Sequence, residues 1–62
     1  LPRLLILDFS GVTFMDSSGI ALILRSQQRM QLLEGSVVLR NIPAQARRVL
    51  DAAGIGRLVS IK

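Results

Sequence analysis

Apolar residues follow two periodicities along this chain, and their order predicts alternating strands and helices. The run from Leu4 to Phe9 begins with continuous apolar residues, which is typical of a strand covered on both faces, as in a parallel sheet. From Ser18 to about Leu33, apolar residues such as Ile20 and Ile23 recur at helical spacing. Gly35 then ends the predicted helix.

The second half of the chain repeats this alternation. Residues 36–40 predict a second strand, and Pro43 is expected at the first position of a second helix, where its missing N–H does no harm. Gly54 is expected to end that helix, and residues 58–61 predict a third short strand. The order β-α-β-α-β with short connections predicts an α/β fold, with parallel strands, right-handed crossovers and helices packed on the sheet.

Size and charge narrow the classes of protein to consider. The chain has 62 residues, half of them hydrophobic, so we expect residues 1–62 to form a single, partial domain that shares its core with further chain or a second copy. Its net charge of +4 comes from seven scattered arginines and one lysine against four acidic residues. Nucleic-acid binding usually needs a concentrated basic patch with aromatic residues, and the chain has only two phenylalanines. We therefore expect an acidic protein partner and no nucleic acid.

Several kinds of chemistry are excluded by residue types that the sequence lacks. Without cysteine or histidine, the chain cannot form a disulfide, a Cys/His zinc site or a Ser-His-Asp nucleophile. It also has no Gly-x-Ser-x-Gly elbow and no glycine-rich phosphate loop, so we expect no enzyme activity, cofactor or metal. The stretch from Phe9 to Arg25 is too short and polar to cross a bilayer, and no signal peptide is evident. We expect a cytoplasmic protein without direct membrane insertion.

The tetrad Asp16-Ser17-Ser18-Gly19 lies where a strand-like segment meets the first predicted helix. Asp16 or Ser17 is expected to cap that helix. The free N–H groups at a helix N-terminus favour nearby negative charge, including a phosphoryl group. The tetrad is therefore either a plain helix cap or a site of phosphorylation.

A phospho-receiver domain is a competing interpretation. Asp8 ends the first strand, as the acceptor aspartate of a receiver does, and Lys62 follows the third strand. The acidic pair that would bind magnesium, however, would have to precede this chain. The second strand also ends in Arg40-Asn41 where a receiver has serine or threonine. These departures disfavour the receiver interpretation.

Longer stretches of the sequence resemble one known family. Leu7-Asp8-Phe9-Ser10, followed by Val12-x-Phe14-Met15-Asp16-Ser17-Ser18-Gly19-Ile20, is similar to the signature of the STAS domain in bacterial anti-sigma factor antagonists. The similarity continues through Gly35-x-Val37-Val38, Pro43-Ala44-x-x-Arg47-x-Val49-Leu50 and Gly54-Ile55. It implies a STAS-like fold whose N-terminal strands and C-terminal helix are missing from this chain. The sheet edge that a missing strand leaves open would offer a pairing site for a homo-oligomer.

The resemblance also implies a function. Such an antagonist binds an anti-sigma factor that is also a serine kinase, and thereby releases a sigma factor to act in transcription. The kinase phosphorylates the second serine of the motif, which matches Ser18, and this partner switching is reversed by a phosphatase acting on the phosphoserine. ATP and magnesium belong to the kinase.

Other residues of the motif are expected to contact the partner. Ser17 is interpreted as the cap or spacer, and Met15 is preferred over Phe14 as a partner contact. The alternative function is a STAS module that does not switch, as in anion transporters, stress-signalling scaffolds and a lipid-transport complex. The expected partner-binding residues are Met15, Asp16, Ser17, Gly19 and Arg25.

Overall fold

The computed structural model describes residues 3–62, and its elements follow the order that the apolar pattern predicts. The predicted β-α-β-α-β order is confirmed, with one 3₁₀ turn added before the last strand. The elements are β1 (Leu4–Asp8), α1 (Ser17–Leu32), β2 (Ser36–Arg40), α2 (Ala44–Ala52), the 3₁₀ turn (Ile55–Arg57) and β3 (Ser60–Ile61).

The three strands form one parallel sheet in the order β1-β2-β3. Residues of both α1 and α2 pack into one core cluster with the sheet, so the two helices lie on the same face of it, as crossovers of one hand require for this strand order. The hydrophobic core lies between the sheet and the two helices. Its fully buried large side chains come one from each of three elements: Ile23 from α1, Leu39 from β2 and Leu50 from α2.

The expectation that β1 is covered on both faces is wrong for the described residues. Leu5 and Leu7 pack against the core, whereas Leu4 and Ile6 are 58% and 46% exposed. Successive strand residues point to opposite faces, and both helices lie on one face, so alternate side chains of β1 stay uncovered. Within residues 3–62, β1 pairs only with β2. Pairing of its other edge with a second copy remains a prediction.

β1 and α1 differ from their predicted bounds by a single residue at one or both ends, and two further boundaries differ for an identifiable reason. Pro43 is the N-cap of α2 rather than its first helical residue, because its ψ of 157° is extended. β3 is shorter than residues 58–61, since Leu58 closes the 3₁₀ turn by donating its N–H to the Ile55 carbonyl. Gly54 follows α2 with a φ of 71°, the left-handed conformation that glycine adopts without strain.

Candidate functional site

Asp16 is the residue that caps α1, and it does so through one oxygen. Its Oδ1 accepts a hydrogen bond from the Ser18 N–H at 3.0 Å and another from the Ser18 hydroxyl at 2.6 Å. Its backbone carbonyl accepts from the N–H groups of Gly19 and Ile20. Of the two caps that the sequence left open, the structure therefore selects Asp16. Of the two roles expected for Ser17, that of cap is wrong and that of spacer remains a prediction.

These contacts change the acidity of the Asp16 side chain. The Ser18 hydroxyl, followed by the backbone N–H groups of Ser18 and Gly19, lowers the pKa of Asp16 below its ordinary value. Each of these donors stabilises the ionised carboxylate. The N-terminus of α1 thus holds a negative charge beside the Ser18 hydroxyl at neutral pH.

The two serines of the tetrad have different surroundings. Ser17 is the first residue of α1, is exposed, and makes no side-chain hydrogen bond within residues 3–62. Ser18 is also exposed, but its hydroxyl is oriented by Asp16. The oxygen of Ser18 is therefore both accessible to another protein and fixed in direction.

The exposure of Met15 and Phe14 is the reverse of what the preference for Met15 as a partner contact requires. Met15 is 4% exposed and belongs to the core, whereas Phe14 is 67% exposed. A Cβ added at Gly19 would lie 3.1 Å from the Met15 Cγ, so the glycine leaves room for the Met15 side chain beneath the helix. The preference for the Met15 side chain as a partner contact is corrected accordingly: Phe14 is the exposed member of the pair.

Gln45 connects the segment before α1 to the start of α2. The Met15 N–H donates to Gln45 Oε1 at 2.9 Å, and Gln45 Nε2 donates to the Met15 carbonyl at 3.1 Å. Sequence reasoning missed this residue, because no motif marks it and thirty positions separate the two partners. Only the parallel topology brings the carboxyl ends of β1 and β2, and hence these two segments, together.

Asp8 and Asn41 also meet at this edge of the sheet. The Asp8 carboxylate accepts from the Ser10 N–H at 2.9 Å and from Asn41 Nδ2 at 3.2 Å, and Arg40 Nε lies 4.0 Å away. The hydrogen bonds from Ser10, and then that from Asn41, lower the pKa of Asp8. Its contacts fasten the turn after β1 to the end of β2, which is a structural role.

The outward face of α1 carries a straight row of side chains that we call the α1 outer stripe. Its members are spaced by four, three, four and three residues, and therefore lie opposite the buried Ile23. Leu22 and Leu32 on it are 51% and 86% exposed. No residue of α1 is acidic, and neither arginine of the stripe forms an ion pair within the described part of the chain. The stripe consists of Ser18, Leu22, Arg25, Arg29 and Leu32.

Comparison with known proteins assigns the family. The STAS domain family model matches residues 2–62. This chain belongs to the STAS domain family. The STAS-like fold and the family resemblance expected from the sequence are thus confirmed.

Relatives of this STAS domain carry consistent names. It is 33% identical over 52 residues to the anti-sigma F factor antagonist of Lysinibacillus sphaericus, a match that covers 84% of this chain and 44% of the relative. It also superposes, with a TM-score of 0.86 and 25% identity, on the crystal structure of a candidate anti-sigma factor antagonist from Thermotoga maritima. That match covers 90% of this chain and 48% of the solved one. The chain spans about half the length of these relatives.

The STAS domain brings together most of the residues that the sequence singled out. Asp16 caps α1, Ser17, Ser18 and Gly19 form its first turn, and Arg25 lies about two turns beyond Ser18 on the same outer face. Within residues 3–62, no helix is long and apolar enough to cross a membrane, and no three His, Cys, Asp or Glu residues cluster as metal ligands would.

Proposed function

We propose that this STAS domain is an anti-sigma factor antagonist: it binds an anti-sigma factor that is also a serine kinase, and phosphorylation of Ser18 ends that binding. The observation that carries the proposal is the Ser18 hydroxyl, which is exposed at the start of the α1 outer stripe and held 2.6 Å from the Asp16 carboxylate. The names of the two relatives support an anti-sigma factor as the partner.

The proposed modification is a phosphoryl transfer in which this chain contributes only the acceptor. The Ser18 Oγ forms a bond to the γ-phosphorus of ATP, and the bond from that phosphorus to the β,γ-bridging oxygen breaks. ADP leaves, and the hydroxyl proton passes to a base of the kinase. Catalysis, ATP and magnesium belong to the partner, so the STAS domain acts as a binding protein and substrate rather than as an enzyme.

A phosphate on Ser18 would alter the charge of the docking surface without requiring a new fold. It adds about −1.5 to −2 charges and removes the hydroxyl proton that Asp16 now accepts. The positive end of the helix dipole at the start of α1 favours negative charge, so we expect the helix to be retained. The phosphate and the Asp16 carboxylate together would repel an acidic partner.

The α1 outer stripe is the surface that we expect the partner to cover. Arg25 and Arg29 give it positive charge that no residue of α1 balances, and the flanking leucines provide apolar area. Arg25 lies roughly 10 Å along the helix axis from Ser18, which is about one screening length in physiological salt. Phosphorylation of Ser18 therefore weakens the attraction of the nearest arginine for an acidic surface.

The remaining parts of the switch follow from this chemistry. Hydrolysis of the phosphoserine by a phosphatase restores the Ser18 hydroxyl and the Asp16 hydrogen bond, and hence the binding surface. Sigma factors act on RNA polymerase, so the proposed switch operates in the cytoplasm of a bacterial cell.

Binding of charge-mimicking variants tests this function. The full-length protein and its Ser18→Asp variant are titrated by calorimetry into the anti-sigma factor of the source organism, with Ser17→Asp as the matched control. We expect Ser18→Asp to raise Kd at least about tenfold and Ser17→Asp to raise it less, since the Ser17 side chain is not oriented by Asp16. Equal binding by wild type and Ser18→Asp, or no binding by the wild type, would overturn the proposal. A wild type that binds but is never phosphorylated would favour the non-switching STAS module.

A further inference from the structure

Gln45 uses one neutral side chain to satisfy two polar groups of the backbone. Its amide accepts from the Met15 N–H at 2.9 Å and donates to the Met15 carbonyl at 3.1 Å, in a half-buried position. A side-chain amide is suited to this pairing because it carries a donor and an acceptor side by side. Without it, both Met15 groups would lose their partners in a place with restricted access to water.

Met15 is consequently held from two directions. Its backbone is tied to α2 by Gln45, and its buried side chain lies against Gly19 at the start of α1. The next residue is Asp16, whose extended backbone (φ −133°, ψ −166°) directs its carboxylate back to the helix. The position of that carboxylate therefore depends on where Met15 is held.

Asp16 in turn determines the direction of the Ser18 hydroxyl. One oxygen of Asp16 accepts from both the N–H and the hydroxyl of Ser18, and the hydroxyl contact is the shorter at 2.6 Å. A path of hydrogen bonds thus runs from α2 to Ser18 Oγ, interrupted only by the peptide bond between Met15 and Asp16. Among residues 3–62, Gln45 is its one member outside Met15 and the tetrad. Small displacements of a reacting atom have large effects on rate, with about a hundredfold loss for 1 Å.

We propose that Gln45 is a positioning residue for the phosphorylation of Ser18, acting through Met15 and Asp16. The inference rests on the proposed function, because it concerns the geometry of the same acceptor. It assigns α2 a role in phosphoryl transfer although α2 contributes no residue to the tetrad.

The test uses Gln45→Met in the full-length protein, because methionine conserves the length of glutamine and removes both hydrogen bonds. Hydrogen exchange and carboxyl titration are followed by NMR, and phosphorylation is followed with the anti-sigma factor kinase of the source organism and ATP. We expect exchange at the Met15 N–H to accelerate at least about tenfold. We also expect the pKa of Asp16 to move up toward its ordinary value, and kcat for phosphorylation to fall about tenfold with a smaller change in KM.

Gln31→Met is the matched control. It makes the same chemical change near the other end of α1, where the lost contact is the 3.3 Å hydrogen bond from Gln27 Nε2. This variant should leave the Met15 exchange rate, the Asp16 pKa and the kinetics as in the wild type. A merely structural role for Gln45 would instead accelerate exchange throughout the core, including the amides of Leu39 and Leu50, without moving the Asp16 pKa.

A second variant keeps the proposal testable if Gln45→Met does not fold. Gln45→Glu retains the acceptor for the Met15 N–H but cannot donate to the Met15 carbonyl when ionised, so intermediate effects are expected. An unchanged Asp16 pKa and an unchanged phosphorylation rate in the folded variants would refute the positioning role. A wild-type protein that the kinase does not phosphorylate would refute the proposed function instead, and the NMR measurements would still decide whether Gln45 positions Asp16.

Discussion

At the scale of single residues, Asp16 both caps α1 and orients the Ser18 hydroxyl. The same carboxylate oxygen receives the N–H and the hydroxyl of Ser18. A phosphate placed on Ser18 would remove one of these two donors and place a second negative group beside the first. The cap is therefore weakened by the modification that we propose, while the backbone N–H contact can remain.

This arrangement predicts how stability depends on pH. The pKa of Asp16 in the folded chain is lowered, first by the Ser18 hydroxyl. The contribution of the ionised Asp16 carboxylate to the free energy of unfolding is therefore complete above the ordinary aspartate pKa of about 3.9. The contribution is lost as the pH falls through the lower folded-state value. The wild type should therefore unfold at a higher temperature than Asp16→Asn at neutral pH, and the difference should disappear in acid. Thermal unfolding, monitored by circular dichroism across a series of pH values, measures this difference in unfolding temperature. A difference in unfolding temperature that stays the same at every pH would contradict this prediction.

A second prediction at this scale concerns backbone conformation. Gly54 has a φ of 71°, and a Cβ added there would meet no atom within 4 Å. Gly54→Ala should cost about 1–2 kcal/mol of unfolding free energy through conformational strain alone. Gly11→Ala is the matched control, since its added Cβ also meets nothing within 4 Å and its φ is not in the left-handed region. The control should stay within about 0.5 kcal/mol of the wild type in urea unfolding. Equal losses would show that strain at Gly54 is not the cause.

At the scale of elements, α1 packs against the core on one side, and its other side is the surface that we propose binds the partner. Ile23 faces the core and is fully buried, while the α1 outer stripe is exposed along the opposite side. The helical period of the sequence predicts the buried side, because burial of apolar residues produces the period. The same period does not specify the composition of the outer side. The proposal of a partner surface there is supported by its exposed leucines and by its arginines, which form no ion pair within residues 3–62.

Charge reversal on the stripe tests that assignment. Arg25→Glu combined with Arg29→Glu should slow association with the anti-sigma factor roughly tenfold at low ionic strength, and the loss should shrink as salt is added. Arg48→Glu, on the exposed side of α2 and without an ion pair among the described residues, makes the same kind of change away from the stripe and should have a smaller effect. Surface plasmon resonance at two salt concentrations measures the association rates of the double variant and of Arg48→Glu. Equal slowing by Arg48→Glu would mean that net charge, rather than the stripe, governs association.

At the scale of the whole molecule, local pattern and tertiary contact explain different parts of the structure. The order of elements, the tetrad at the start of α1 and the glycine after α2 follow from periodicity and capping preferences, which act over a few residues. The exposure of alternate residues in β1 does not follow from local pattern, because an apolar run has the same sequence whether one or both faces of the strand are covered.

The details of the site depend still more on tertiary contacts. Met15 and Phe14 are adjacent and both apolar, so no local rule says which of them enters the core. Gln45 is one of several glutamines in the sequence, and its importance arises only because the sheet places it beside Met15. The sequence could thus predict that the tetrad lies at the start of α1, but not how the tetrad is held in place.

The most direct test of the central claim is the mass of the protein after reaction with its kinase. The wild type, Ser18→Ala and Ser17→Ala are incubated with the anti-sigma factor and ATP, and each intact mass is then recorded. The account predicts one phosphate, an increase of about 80 Da, on the wild type and on Ser17→Ala, and none on Ser18→Ala. A phosphate that persists in Ser18→Ala, or a wild type that gains none, would contradict it.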